Sequence, residues 1–156
     1  MDKLTQKEAD LLMAMMKTVL EKEIEFPNQK GRIELKALGN NEKDEFIINI
    51  SRKGINSKCA TYQGRHKRSG AILIRIDINP TGKRIHTNPD GISIEKGISH
   101  IHIYREDSTR KEGDSFAIPF DSENKELHEI CSIFFKKFNI ANPPKIIYKP
   151  TLNDFL

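Results

Sequence analysis

Three histidines, His86, His100 and His102, lie within seventeen residues of one another. Histidine can act as an acid, a base or a metal ligand near neutral pH. His100 and His102 are two residues apart in a run of isoleucines, and this spacing puts both imidazoles on the same face of a β-strand. The pattern predicts a functional site on one face of a sheet.

Metal-independent cleavage of RNA is the first chemistry that these residues favour. It needs a base for the ribose 2′-hydroxyl, an acid for the leaving oxygen and cations for the charge on the phosphorane. A histidine pair supplies the first two groups, and Arg75, Arg84 or Arg105 supplies the third because a guanidinium matches phosphate oxygens. Tyr104 is expected to position a phosphate or to stack on a base.

A metal site is the second chemistry. The spacing of His100, His102 and Glu106, followed by Gly113, resembles the first motif of the cupins. The later cupin histidine has no counterpart on a strand, and the terminal helices fit poorly with a jelly roll, so no cupin is assigned. No cofactor is predicted, although a metal bound by His86, His100 and His102 stays open.

The elements that must position these residues form an α+β domain over 1–156. A capping box at Thr5–Glu8 begins a helix that the apolar spacing extends to about residue 24. From about 31 to 120 the period is two, which predicts an antiparallel meander of five to six strands. Ser122 is expected to cap a second helix, and both helices are expected to pack on one face of the sheet.

The strand pattern indicates which side chains share the histidine face. Ile72, Ile74, Ile76 and Ile78 form a row that favours burial under the helices. Ile85, Ile101 and Ile103 are placed on that covered side by the same logic. The opposite, open face is then predicted to collect Arg75, Asp77, Arg84, His86, His100, His102 and Tyr104.

Composition describes a soluble globular chain with 37% hydrophobic and 31% charged residues. It has no long apolar run and no apolar leader, so we expect a cytoplasmic protein with no membrane partner. Cys59 and Cys131 are expected to be small buried groups. The net charge of +4 permits nucleic-acid binding, for which the candidate contacts are Arg65, Lys67, Arg68, Arg84 and Arg105.

Several motifs together resemble a family of small bacterial proteins of unknown function. They are Tyr62-Gln-Gly-Arg65, Leu73-Ile-Arg-Ile-Asp77, Asn88-Pro-Asp-Gly91, His100-Ile-His-Ile-Tyr-Arg-Glu106, Ala117-Ile-Pro-Phe120 and Phe138-Asn-Ile-Ala-Asn-Pro-Pro144. The resemblance covers the chain from about residue 45 onward and implies no particular activity. The loop after Glu106 is more charged here than the resemblance leads us to expect.

Three functions follow from these observations. The first is a small RNA-directed, metal-independent endoribonuclease of the toxin or defence type. The second is a non-enzymatic inhibitor or adaptor of a phage or mobile element, whose polar sheet face binds a protein partner. The third is a histidine-ligated metal protein.

Overall fold

A computed structural model describes residues 3–53, 58–81 and 85–150. Its elements in chain order are α1 (Gln6–Ala14), β1 (Lys17–Val19), β2 (Glu23–Glu25), β3 (Arg32–Gly39), β4 (Glu45–Ser51), β5 (Ala60–His66), β6 (Ile72–Ile78), β7 (His86–Thr87), β8 (Ser93–Ile94), β9 (His100–Ile103), β10 (Ala117–Pro119), α2 (Leu127–Lys137) and β11 (Lys145–Ile147). The main sheet has seven antiparallel strands in the order β1-β3-β4-β5-β6-β9-β10. The predicted α+β class is confirmed, and the predicted strand count was too low.

The core lies between the helices and the isoleucine row of β6. Ile74 and Ile76 are fully buried in one cluster with Ala9 of α1 and with Phe134 of α2. Gly64 of β5 is where α2 comes closest, because a Cβ there would meet the Phe138 ring at 2.6 Å. Cys59 and Cys131 are both buried, as predicted.

The first helix is shorter than the sequence predicted. The capping box at Thr5 and Glu8 forms as expected, but α1 ends at Ala14 and the chain continues into β1 and β2. Met16 and Leu20, which the helical spacing had assigned to the core, are exposed. Lys17 follows the end of α1 and is fully buried between the ends of the two helices, a position that the helical spacing does not reveal.

Lys17 binds carbonyl groups at the C-terminal ends of both helices. Its Nζ donates to the carbonyls of Met13 at 3.0 Å, Met15 at 2.8 Å and Phe138 at 2.9 Å, which uses all three protons of an ammonium. The same nitrogen lies over the rings of Phe46 and Phe138. Burial lowers the pKa of Lys17 to about 7, and these carbonyls and ring faces offset the cost of the charged form.

The second helix begins later than the sequence predicted. Its N-cap is Glu126, whereas Ser122 forms a hydrogen bond with Ser99 instead of capping the helix. Phe134, Phe135 and Phe138 are buried as the apolar stripe requires. Within the described ranges 3–53, 58–81 and 85–150, no helix is both long enough and apolar enough to cross a bilayer.

The meander is interrupted between β6 and β9. These two strands pair directly with each other, whereas β7 and β8 form a separate two-stranded hairpin. The predicted strand around His86 is therefore not part of the main sheet, and Ile85 is exposed rather than covered. His86 reaches the sheet face because the hairpin folds back over it.

Each edge of the main sheet is closed by the carboxamide of an asparagine. Asn88 accepts from the backbone N–H of Ala117 and donates to its carbonyl, both at 2.9 Å. Asn142 does the same for Val19, at 3.0 Å and 2.8 Å. Each side chain thus takes the place of a neighbouring strand at the edge residue that it contacts.

Candidate functional site

Two rows of polar side chains cross the face of the sheet opposite the helices. The strand register aligns Asn49, Gln63, Arg75 and His102 in one row and Ser51, Thr61, Asp77 and His100 in the other. Over β3 to β6 this face is a polar groove of about 700 Å³, lined by Lys30, Gly31, Arg32, Asn49, Ser51, Arg52, Lys53, Thr61, Gln63, Arg75 and Asp77. Over β9 it is covered, so His100 and His102 are buried and the open face predicted there was wrong.

Arg75 is the centre of a cluster of side chains that also contains Asp77, His86, His100 and His102. Its Nε donates to Asp77 at 3.1 Å, one terminal nitrogen donates to Asp114 at 2.5 Å, and the other donates to Nε2 of His102 at 2.9 Å. Asp114 is fully buried, and its carboxylate balances the guanidinium. Three of the five N–H groups of Arg75 are used in this way, which leaves two for a bound group.

Both ring nitrogens of His100 face hydrogen-bond acceptors, which favours its protonated form. Its Nδ1 faces the carbonyl of Ile98 at 2.9 Å, and its Nε2 faces the carboxylate of Asp77 at 3.2 Å. Both partners accept hydrogen bonds, so an imidazolium satisfies both at once. Burial alone would lower the pKa of His100, but the bonds to Asp77 and Ile98 outweigh it and raise the pKa.

His102 is held in the opposite state. Nε2 of His102 lies 2.9 Å from Arg75 and 3.4 Å from Oδ2 of Asp77; because a guanidinium can only donate, the shorter contact places the lone pair on Nε2 and the proton on Nδ1. Burial lowers the pKa of His102, and the charge of Arg75 lowers it further against the attraction of Asp77. Its buried Nδ1 has no hydrogen-bond partner among the described residues, which is uncommon in a buried polar group.

His86, on β7, packs against the two histidines of β9. Its ring centroid lies 5.8 Å from that of His100 and 5.2 Å from that of His102. Its Nε2 faces two acceptors, Oδ1 of Asn88 at 2.9 Å and the carbonyl of Ser115 at 3.1 Å, and therefore carries the proton. In the neutral ring the lone pair is then on Nδ1, where it can take a proton from a bound molecule.

Asp77 makes the stability of the protein depend on pH in acid. Burial alone would raise the pKa of this carboxyl, but the hydrogen bond from His100 and the charge of Arg75 outweigh it and hold the pKa far below its ordinary value. A carboxyl with a depressed pKa stabilises the fold above its unfolded value of 3.8 and loses that contribution as the pH falls further.

We therefore expect the free energy of unfolding of the wild type to fall steeply below about pH 4, and Asp77→Asn to reduce this slope. Urea denaturation at a series of pH values measures it. Asp121→Asn, which removes an exposed carboxylate, should keep the wild-type slope. An unchanged slope in Asp77→Asn would show that the acid sensitivity arises elsewhere.

A metal could be held by Asp77, His100 and His102, whose ligand atoms lie within 4.8 Å of one another. This set differs from the predicted His86, His100 and His102. Glu106, the carboxylate of the cupin-like spacing, instead accepts from the backbone N–H of Gln6 at 2.6 Å. Arg75 already places a cation against Asp77 and His102, and its charge would repel a metal ion at the same atoms.

The structure brings together five of the predicted site residues: Arg75, Asp77, His86, His100 and His102. Tyr104 is not among them, because β9 ends at Ile103 and the alternation ends with it. The Tyr104 ring is buried in the core, and its hydroxyl donates to the carbonyl of Leu4. Ile103, predicted to be covered, is exposed.

The predicted phosphate contacts are dispersed. Lys67 pairs with Glu45, and Arg105 pairs with Asp107 and covers the ring of Phe116. In sequence, Arg65 and Arg68 flank His66 at the β5–β6 turn, where buried His66 pairs with half-buried Asp44. Arg84 lies outside the described residues.

Sequence reasoning missed Asp114, Thr61, Asn88 and Ser115 as members of the site. Thr61 donates from its hydroxyl to Asp77 at 3.1 Å, and its place opposite Asp77 follows from the strand register. Asp114 and Ser115 lie in a loop, where no periodicity predicts position. Asn88 belongs to the Asn88-Pro-Asp-Gly91 motif, which indicates no contact with His86, although its side chain orients that ring.

Comparison with known proteins gives a family but no activity. No match to the chain was found among curated proteins or among solved structures. The sequence model of one family matches residues 4–140, which includes every member of the cluster. The chain therefore belongs to DUF6978, a family of unknown function.

Proposed function

We propose that this protein is a small metal-independent endoribonuclease of the toxin or defence type. The observation that carries the proposal is the pair His86 and His100, whose ring centroids lie 5.8 Å apart beside Arg75. The partners of His86 leave the lone pair on its Nδ1, and both ring nitrogens of His100 face acceptors, so the two rings offer a base and an acid side by side. The polar groove gives an anionic substrate access to Arg75 and Asp77.

The reaction assigns one role to each side chain. Nδ1 of His86 takes the proton of a ribose 2′-hydroxyl, and the 2′-oxygen bonds to the adjacent phosphorus. The bond from phosphorus to the 5′-oxygen breaks, and His100 gives that oxygen its proton. The products are a 2′,3′-cyclic phosphate and a 5′-hydroxyl, and the two N–H groups left on Arg75 stabilise the charge on the phosphorane.

The remaining members act as positioning residues. Asp77 orients His100 and stabilises its charge. His102 is 1% exposed, so it does not reach the substrate and acts by holding Arg75 and packing against His86. Asn88 and Ser115 fix the tautomer of His86.

The direct test combines metal analysis with an RNA-cleavage assay in EDTA. We expect the purified wild type to cleave RNA, to leave cyclic phosphate ends and to keep its rate in excess EDTA. One equivalent of bound metal together with loss of cleavage in EDTA would support the metal-protein alternative instead. If the protein neither cleaves any RNA of a broad panel nor binds RNA, the result would support the adaptor instead.

A second surface favours the adaptor as the runner-up function. Ile92, Ile98, Ile103 and Ile118 are 39% to 64% exposed and line an apolar groove of about 660 Å³ beside β9 and β10. Clustered exposed isoleucines of this kind mark many protein-binding surfaces. This groove is on the helix side of the sheet, because Ile118 pairs with Ile101 and Ile101 with Ile76.

A further inference from the structure

We infer that the polar groove over β3 to β6 holds a single RNA strand across the sheet. This inference rests on the proposed function and names the substrate path to its site. The groove begins at the cluster itself, because Arg75 and Asp77 contact the histidines and also line the groove. It continues across β5, β4 and β3 along the two polar rows.

The far end of the groove carries the free positive charge. Lys30, Arg32 and Lys53 line it and are exposed, and no described residue forms an ion pair with any of them. Phosphate groups are held by such unpaired cations with release of counterions. Lys67 and Arg105, in contrast, are already paired with Glu45 and Asp107.

The middle of the groove offers hydrogen bonds rather than charge. Gln63 presents an amide, Ser51 and Thr61 present hydroxyls, and Asn49 presents an amide that donates to Glu34 at 3.3 Å, so donors and acceptors lie between the cations and the cluster. Side chains of this kind read the ribose and the edges of unpaired bases. A duplex hides those edges, and the cluster is recessed under the β7–β8 hairpin, so the groove suits a single strand.

The test measures binding of a 2′-methoxy oligoribonucleotide, which has no attacking hydroxyl and so separates binding from cleavage. The groove variant carries Arg32→Ala and Lys53→Ala. A plot of the logarithm of the binding constant against the logarithm of the salt concentration should become shallower by about 0.7 for each lost phosphate contact, or about 1.4 in total. The control on α2 carries Lys136→Ala and Lys137→Ala, which removes the same charge from exposed positions and should keep the wild-type slope.

A third variant with Arg65→Ala and Arg68→Ala makes the test decisive. A loss confined to this variant, or equal losses in all three, would overturn the groove path. If the wild type cleaves RNA and the groove variant binds it as tightly as the wild type, the groove inference fails while the endoribonuclease stands. If the wild type neither binds nor cleaves RNA, both the groove inference and the endoribonuclease proposal are wrong.

Discussion

Replacing His100 by alanine should reduce RNA cleavage by about a hundredfold to ten-thousandfold, the usual loss when a general acid is removed. The variant loses the proton that the leaving 5′-oxygen needs, because Asp77 and the Ile98 carbonyl hold that proton on this imidazole. The rate of cleavage of an oligoribonucleotide under single-turnover conditions measures the effect. Its pH profile should also lose the limb that reports an acid of raised pKa.

Two further variants separate chemistry from folding. His100→Gln keeps a donor for Asp77 but has no titratable proton, so it should fold like the wild type and be as inactive as His100→Ala. His66→Gln changes another histidine–aspartate pair, in which buried His66 contacts half-buried Asp44 at 2.8 Å outside the cluster. It should keep cleavage, and equal losses in His66→Gln and His100→Gln would contradict the assigned role.

Lys17→Met should produce the largest loss of stability, roughly 3 kcal/mol or more. Methionine fills a similar volume but leaves the buried carbonyl of Phe138 and the part-buried carbonyls of Met13 and Met15 without the donor that Lys17 supplies. Each buried polar group left unpaired costs about 1 to 3 kcal/mol. The free energy of unfolding from urea denaturation measures this loss.

Lys36→Met is the matched control, since Lys36 is exposed on the neighbouring strand β3. It should change the free energy of unfolding by no more than about 0.5 kcal/mol, as most surface substitutions do. If Lys17→Met is as stable as this control, Lys17 is not what joins the ends of the two helices.

The sequence predicted the cluster best where the strands are regular. The alternation in β6 places Arg75 and Asp77 opposite the isoleucines, and the spacing of His100 and His102 places both imidazoles beside them. Such placement needs only a period of two and a correct strand pairing. Both conditions hold for these residues.

The sequence-based prediction failed where contacts with neighbouring elements, rather than the periodicity of the chain, determine the position of a side chain. The apolar spacing from Leu12 to Leu20 continues past the real end of α1, because spacing alone does not reveal that Lys17 is buried between two helix ends. Tyr104 follows the alternation of β9 but lies beyond its last residue, where its backbone N–H bonds to Leu73. The cover over the cluster comes from a hairpin and a loop, so the sequence predicted an open face.

The two edge-closing asparagines are each followed by proline, at Asn88-Pro89 and Asn142-Pro143. An asparagine deamidates when the backbone nitrogen of the next residue attacks its carboxamide. Proline has no backbone N–H, so it cannot form the cyclic intermediate of this reaction. Aspartate at either position would turn a donor into a negative charge against the carbonyl of Ala117 or Val19. The prolines therefore protect both edges of the sheet against deamidation over the lifetime of the protein.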